Sequence, residues 1–179
     1  IGNEIEKYYP KSYTPYLDQQ KLSSYRAQIK FVQKYFPEGG KILDVGCGRG
    51  YFLKLAKETN IYNSFGVELI NDVVEIVRSK LDINIIGKTI EDVPSNNRFD
   101  IITMWDVLEH LENPITSIEK VYSLLNNKGG FFFSIPNTRS FDSYFFGKYW
   151  IGWDAPRHTY IFPDQLIYKV LEECGFQVL

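Results

Sequence analysis

LDVGCGRG, residues 43–50, decides how the rest of the chain is read. Before it, residues 41–45 form a short apolar run of strand character, and after it a helical pattern continues to about Asn60. Gly46, Gly48 and Gly50 make the turn between the two. Glycine admits backbone conformations closed to other residues and lets a ligand come close, while the first turn of a helix presents amides that have no partner. In open α/β sheets ligands bind at such turns, outside the carboxyl ends of the strands.

Outward from this turn the alternation repeats. Residues 17–36 carry Leu22, Tyr25, Ile29, Val32 and Phe36 at helical spacing, and Pro37, Gly39 and Gly40 stop that helix. Apolar runs predict strands over 64–69, 83–86, 99–104 and 131–136, with the start of another at 176–179. Helices are predicted over 72–81, 114–125 and 164–174, Pro114 opening one and Gly175 closing another. The near-continuous apolar run at 99–104 suits a strand buried on both faces. Strands alternating with helices of this length imply a doubly wound, Rossmann-like, mostly parallel sheet with helices on both faces. We divide the chain into an N-terminal cap and helix, residues 1–38, and a cofactor-binding domain, residues 39–179, forming one structural unit.

Composition excludes several classes. The chain has 179 residues, the size of one domain, and its net charge of −2 offers no general field for a nucleic acid. No apolar run reaches the roughly 18 residues that span a bilayer, and residues 1–16 contain no apolar core of a signal peptide. Cys47 and Cys174 are the only cysteines and lack His or acidic partners at metal-ligand spacing, so a reduced, cytoplasmic protein is expected. Aromatics are abundant, with 13 Tyr, 13 Phe and 3 Trp, which suits either a core or a pocket for flat or apolar substrates.

The glycines fall as G-x-G-x-G, and the third glycine of a dinucleotide fingerprint is replaced by Tyr51. Asp44, two residues ahead of Gly46, would repel a pyrophosphate but suits a ligand that carries an ammonium and a sulfonium. That charge argument favours S-adenosylmethionine over NAD.

LDVGCGRG resembles the first motif of class I S-adenosylmethionine-dependent methyltransferases, and the resemblance extends over about residues 39–179. It implies that Asp44, Gly46, Gly48 and Gly50 hold the cofactor. Glu68, 22 residues past Gly46, matches the family's acid on the ribose hydroxyls, with Leu69 beside it. Thr89-Ile90-Glu91-Asp92-Val93-Pro94 resembles the adenine-side segment, with Thr89 where an Asp often stands; Ile90 and Glu91 become cofactor contacts. Trp105 takes the position beside the methionine part, and NKGGFFFSIPN resembles the passage from helix into fifth strand. Arg26, 20 residues before Gly46, matches an arginine near the cofactor in ubiquinone-type O-methyltransferases. The family's sheet also adds a sixth and an antiparallel seventh strand, which residues up to Leu179 do not supply.

Methyl transfer from a sulfonium is an in-line displacement, so alignment carries much of the catalysis. A hydroxyl acceptor gains from a general base, and His is best suited near neutral pH. The chain has two, His110 and His158. His110 ends Asp106-Val-Leu-Glu109-His110, which resembles the Glu-x-x-Glu-His segment that can hold a divalent cation in ubiquinone-type enzymes. With Asp106 shorter than Glu, the favoured reading is that this segment fixes a loop, and no metal is expected. His158 lies in Trp150-Ile-Gly-Trp153-Asp154-Ala-Pro-Arg157-His158-Thr-Tyr160, which resembles the W-x-x-x-P-R-H-x-Y-F pattern of one methyltransferase subfamily. His158 is the expected base or acceptor-orienting group, with Trp153, Arg157 and Tyr160 shaping the substrate pocket. Tyr8, Tyr9, Tyr13 and Tyr16 are expected to cap the cofactor.

The function expected is methyl transfer to a small-molecule acceptor, on oxygen. A non-catalytic cofactor-binding partner subunit is opposed by the intact glycines, Asp44 and Glu68, and an NAD-dependent oxidoreductase by Tyr51. A nucleic-acid methyltransferase would need the flipped-base N-P-P-Y loop, where this chain has Met104-Trp105-Asp106-Val107.

Overall fold

Five strands, all parallel, run in the order β3-β2-β1-β4-β5 in a computed structural model that describes residues 22–179. They are β1 (Gly40–Val45), β2 (Tyr62–Val67), β3 (Asn84–Gly87), β4 (Phe99–Trp105) and β5 (Leu125–Ser134). Helices α1 (Leu22–Tyr35), α2 (Tyr51–Glu58), α3 (Asn71–Leu81), α4 (Pro114–Leu124), α5 (Phe141–Phe146) and α6 (Asp164–Glu173) complete the described chain. The strand order reverses between β1 and β4, so the crevice beyond their carboxyl ends is the switch point of this sheet.

Strand periodicity sorts the core into two layers. Ile42 and Ile101 pack on one face with Ile29, Val32, Phe52, Leu53 and Val77. Their neighbours Leu43 and Ile102 pack on the other with Ile118, Val121, Leu124, Ile167 and Leu171. Successive side chains of a strand point to opposite faces, so a central strand covered on both sides carries apolar residues on both, and β1 and β4 depart from this at the buried pair Asp44 and Thr103. α1 joins the first layer through Ile29 and Val32, and the Phe36 ring just beyond it meets Phe132 of β5 edge-on, 5.9 Å between centroids.

The largest departures from the sequence reading lie at β2, at β5, at residues 176–179 and at the unexpected helix α5. β2 begins at Tyr62 and ends at Val67, because Gly40 and Lys41 of β1 pair with its polar start, Tyr62 and Asn63. Glu68 therefore lies just past the strand. β5 begins at Leu125, directly after α4, because Leu125 pairs with Phe99 before a register shift carries Gly130 to Ile101. Residues 176–179 form no strand. Instead the Phe176 amide donates to the Leu171 carbonyl at 3.0 Å and the ring packs on Tyr122 and Phe131. The proposed caps Tyr8, Tyr9, Tyr13 and Tyr16 lie outside the described residues. Among the described residues no helix is long and apolar enough to cross a membrane.

Candidate active site

The crevice at the switch point opens into a cavity of about 700 Å³, within the range of small-molecule sites. One part of its wall is the glycine turn. Gly46 has φ +70°, and a Cβ there would stand 2.7 Å from Val107 Cγ2, so both conformation and space demand glycine. Gly50, at φ +72°, starts α2 without lining the cavity.

Two buried carboxylates sit under this turn. The Asp44 carboxylate accepts from the Thr103 hydroxyl at 2.6 Å, a bond that crosses from β1 to β4 at the register pair Asp44–Thr103. Glu68 accepts from the Gly48 amide at 2.8 Å and from the Ile70 amide at 2.9 Å, so the backbone aims it into the cavity. A carboxylate has about four acceptor positions, so these two bonds leave room for ligand hydroxyls. Burial pushes the Asp44 carboxyl up to about 7, the Thr103 hydroxyl opposing and the Glu68 charge adding to the rise. Burial also raises Glu68, against the amides of Ile70 and Gly48. Such acids gain from a cationic ligand, which offsets the cost of their desolvated charge.

Leu69, Thr89, the buried Ile90 and Trp105 line the same cavity. Thr89 and Asp92 cap the short turn Ile90–Asp92 reciprocally, so Thr89 serves this turn where the family often has Asp. The Trp105 ring meets Phe52 edge-on at 5.6 Å, and its buried indole N–H has no partner among the described residues. Glu91 points away and accepts from the Ser117 hydroxyl of α4 at 2.6 Å. Arg26 is exposed and does not line the cavity, whereas Tyr25 and Gln28 do. Tyr25, Gln28 and Ile29 share one helical face, and Arg26 lies a hundred degrees or so around from Tyr25. The sequence reading missed Gln28 and Arg49; the buried Gln28 Oε1 and Arg49 Nε, with no partner among the described residues, are the signal in the structure.

The remaining wall comes from two chain segments about fifty residues apart. The turn Leu108–His110 supplies Glu109 and His110, and the stretch after α5 supplies Trp150, Ile151, Gly152, Asp154 and His158. They are joined by backbone bonds. The Thr159 and Tyr160 amides donate to the Glu109 carbonyl at 2.8 and 3.2 Å, and His110 Nδ1 donates to the Arg157 carbonyl at 2.9 Å. Across this seam the two imidazoles meet edge-on, 4.7 Å between centroids. His158 Nδ1 donates to the Gly152 carbonyl at 2.7 Å. Since carbonyls only accept, each imidazole carries its proton on Nδ1 when neutral and has its basic nitrogen at Nε2. Burial lowers the His110 pKa, the Arg157 carbonyl opposing. Glu109 is 1% exposed, both its oxygens lack hydrogen-bond partners among the described residues, and burial pushes its carboxyl up to about 7.

Trp153, Arg157 and Tyr160 hold this segment together and do not line the cavity. The Trp153 indole donates to the Gly147 carbonyl at 2.8 Å, and Tyr160 Oη donates to the Glu112 carbonyl at 2.9 Å. Arg157 grips both carboxylate oxygens of Asp154, at 2.9 and 2.5 Å. Much of the aromatic excess also faces outward: Phe141 is 76% and Tyr144 89% exposed.

Residues 17–179 match the methyltransferase-domain family. The chain belongs to the class I S-adenosylmethionine-dependent methyltransferases. Among curated relatives, it is 34% identical over 115 residues to the mitochondrial ubiquinone biosynthesis O-methyltransferase of Candida albicans, covering 58% of this chain and 34% of that one. It is 32% identical over 127 residues to the ubiquinone biosynthesis O-methyltransferase of Coxiella burnetii, covering 66% and 53%. The chain thus spans between a third and about half the length of these relatives. Among solved structures, a S-adenosylmethionine-dependent methyltransferase from Archaeoglobus fulgidus superposes with TM-score 0.70 at 25% identity, covering 87% of this chain and 69% of that one. The plantazolicin methyltransferase in complex with S-adenosylhomocysteine shares the fold, with TM-score 0.69 at 20% identity over 97% of this chain and 69% of its own. The cofactor of this family is S-adenosylmethionine, and the lining suits a cationic, hydroxyl-bearing ligand: two buried acids, a glycine turn, and a Trp105 indole N–H with no partner among the described residues.

Proposed function

We propose that this chain transfers a methyl group from S-adenosylmethionine to an oxygen of a small-molecule acceptor, with His158 taking the acceptor's proton. The observation that carries this reading is that one cavity is lined by Glu68 and Trp105 and also by His158, whose Nδ1 is engaged by the Gly152 carbonyl. The relatives, ubiquinone biosynthesis O-methyltransferases, support oxygen as the atom methylated.

S-adenosylmethionine supplies the methyl on a sulfonium, an electrophile that leaves as a neutral thioether. Asp44, Gly46, Gly48, Glu68, Leu69, Ile90 and Trp105 bind and orient it, and Gly50 starts the helix behind the turn. Arg26 and Glu91 take part at most from the rim, given where their side chains stand. His158 holds its lone pair at Nε2, and Asp154 Oδ2 lies 3.9 Å from that atom, placed to stabilise the imidazolium that forms. Arg157 positions Asp154, while Trp153 and Tyr160 brace the segment. His110 sits against His158 as its neighbour at the acceptor. Two free cysteines, Cys47 and Cys174, fit work in the cytoplasm.

His158→Ala is expected to lower kcat about 10²–10⁴-fold and to leave the dissociation constant of S-adenosylhomocysteine within about threefold by calorimetry. Small, equal losses in both would defeat the assignment. NADH is expected not to bind.

A further inference from the structure

We propose that Glu109, His110 and His158 form a site for one borderline-soft divalent cation, of which Zn2+ is the type, tying the Leu108–His110 turn to the stretch that follows α5. The inference rests on the reading above only for where the acceptor lies. One ligand atom from each of the three residues falls within 4.8 Å of the others. A metal-ligating histidine commonly donates its other ring N–H to a carbonyl, which fixes the ring and its tautomer. Both imidazoles have this arrangement, His110 to the Arg157 carbonyl and His158 to the Gly152 carbonyl. Glu109 is an anion-forming group 1% exposed, lines the cavity, and has no hydrogen-bond partner for either oxygen among the described residues. A buried carboxylate so placed costs free energy until something cationic meets it.

The donor set differs from the one that the family resemblance implied. Asp106 is exposed, its Oδ1 accepts from the Ser134 hydroxyl at 2.7 Å, and it stands outside the cluster. His158, from the segment after the fifth strand, takes the third place. The change matters chemically. Two imidazoles and one carboxylate suit Zn2+ and its neighbours, whereas Mg2+ wants an octahedron of oxygens. Three protein ligands and an open fourth position are the pattern of reactive zinc sites. All three residues line the cavity, so an oxygen of an acceptor held there would be the fourth ligand. At bond lengths near 2.1 Å, tetrahedral ligands stand about 3.4 Å apart, so filling the site would hold residues 152–158 against the Leu108–His110 turn. The ion occupies the same His158 nitrogen that otherwise takes a proton, so loaded and ion-free chains must differ in the pH dependence of turnover.

The test is Zn2+ titration of the chelator-treated chain, by calorimetry and by metal analysis after dialysis. One Zn2+ per chain is expected, with Mg2+ at least about 100-fold weaker. Glu109→Gln and His158→Ala should each weaken Zn2+ about 100-fold or more, since outer-shell changes alone cost 10–100-fold, and Asp106→Asn should change it less than threefold. S-adenosylhomocysteine affinity, measured on every variant, shows that it is folded; His158→Gln replaces His158→Ala if the latter is not. The spectrum of the wild-type chain loaded with Co2+ should show the intense visible bands of four-coordinate Co2+. No Zn2+ in the wild-type chain, unchanged affinity in folded His158→Ala, or loss in Asp106→Asn would each overturn the site. A chain that turns over methyl groups yet takes no Zn2+ fails this inference alone. One that binds Zn2+ but methylates no acceptor fails the functional reading alone.

Discussion

The glycine turn and the stretch after α5 build the two halves of one cavity by opposite means. The first is local: Asp44, Gly46 and Gly48 lie within five residues, and Glu68 reaches Gly48 through the adjacent strand. The second is long-range, with His110 and His158 brought together by bonds between residues 47 to 50 apart. Half of a site drawn from one strand–turn–helix unit forms wherever that unit folds. Half drawn from a seam between distant loops depends on the loops staying joined, so it is the part that can be loosened, re-shaped for a different acceptor, or locked by an ion.

The sharpest way to break the local half is Gly46→Val. The positive φ and the 2.7 Å approach to Val107 leave no room for a side chain. S-adenosylhomocysteine binding, measured by calorimetry, should fall more than about 100-fold, as expected when a backbone position requiring glycine is filled. Glu68→Ala comes next. It takes a charged acceptor from the partly buried amides of Gly48 and Ile70, each such bond being worth about 1.5–3 kcal/mol, and should cost cofactor affinity about 30-fold or more while kcat at saturation changes less.

A pH experiment sharpens the comparison by addressing both halves. Burial lifts Asp44 from 3.8 to about 7 and Glu109 from 4.5 to about 7. Between these limits the folded chain holds protons that the unfolded chain has already released, so stability must fall as pH rises from about 4 to about 7. The melting temperature of the ligand-free chain should therefore drop by several degrees between about pH 5 and pH 8. Asp44→Asn should flatten part of that slope and Glu109→Gln another part. A melting temperature that climbs over this range would refute the placement of both acids.

The smallest effect expected is that of Thr159→Val. It removes the hydroxyl bonds to the Glu109 and Leu111 carbonyls, at 3.0 and 3.2 Å, for a loss of about 1 kcal/mol. Hydrogen exchange should quicken at residues 157–160 and leave the glycine turn unaffected. Equal loosening of both halves would show that the seam and the turn form one cooperative unit.

The local half was legible because its chemistry and its neighbours in sequence coincide. The Asp44 carboxylate, the glycine spacing and Glu68 are all readable along the chain, and strand order then places them where ligands bind. Arg26 shows the limit: its spacing from Gly46 suggested the cofactor, but helix phase turns Tyr25 and Gln28 inward instead. The seam was harder. Trp150, Trp153, Arg157, His158 and Tyr160 share one aromatic, polar stretch, and nothing in their order says which of them line a cavity. Folding sorts them, sending Trp150 and His158 to the wall and Trp153, Arg157 and Tyr160 to its supports. The strand expected at 176–179 is absent for the same reason, since Phe176 finds more apolar contact against Tyr122 and Phe131 of the neighbouring elements.

By itself the sequence determined the alternation of strand and helix, the doubly wound class and the glycine turn at the mouth of the sheet, because periodicity and glycine conformational freedom act over a few residues. Only the tertiary structure decided that Glu109, His110 and His158 share one point in space and that Asp106 does not. Their meeting depends on loop closure over some fifty residues, and no local pattern encodes such a distance.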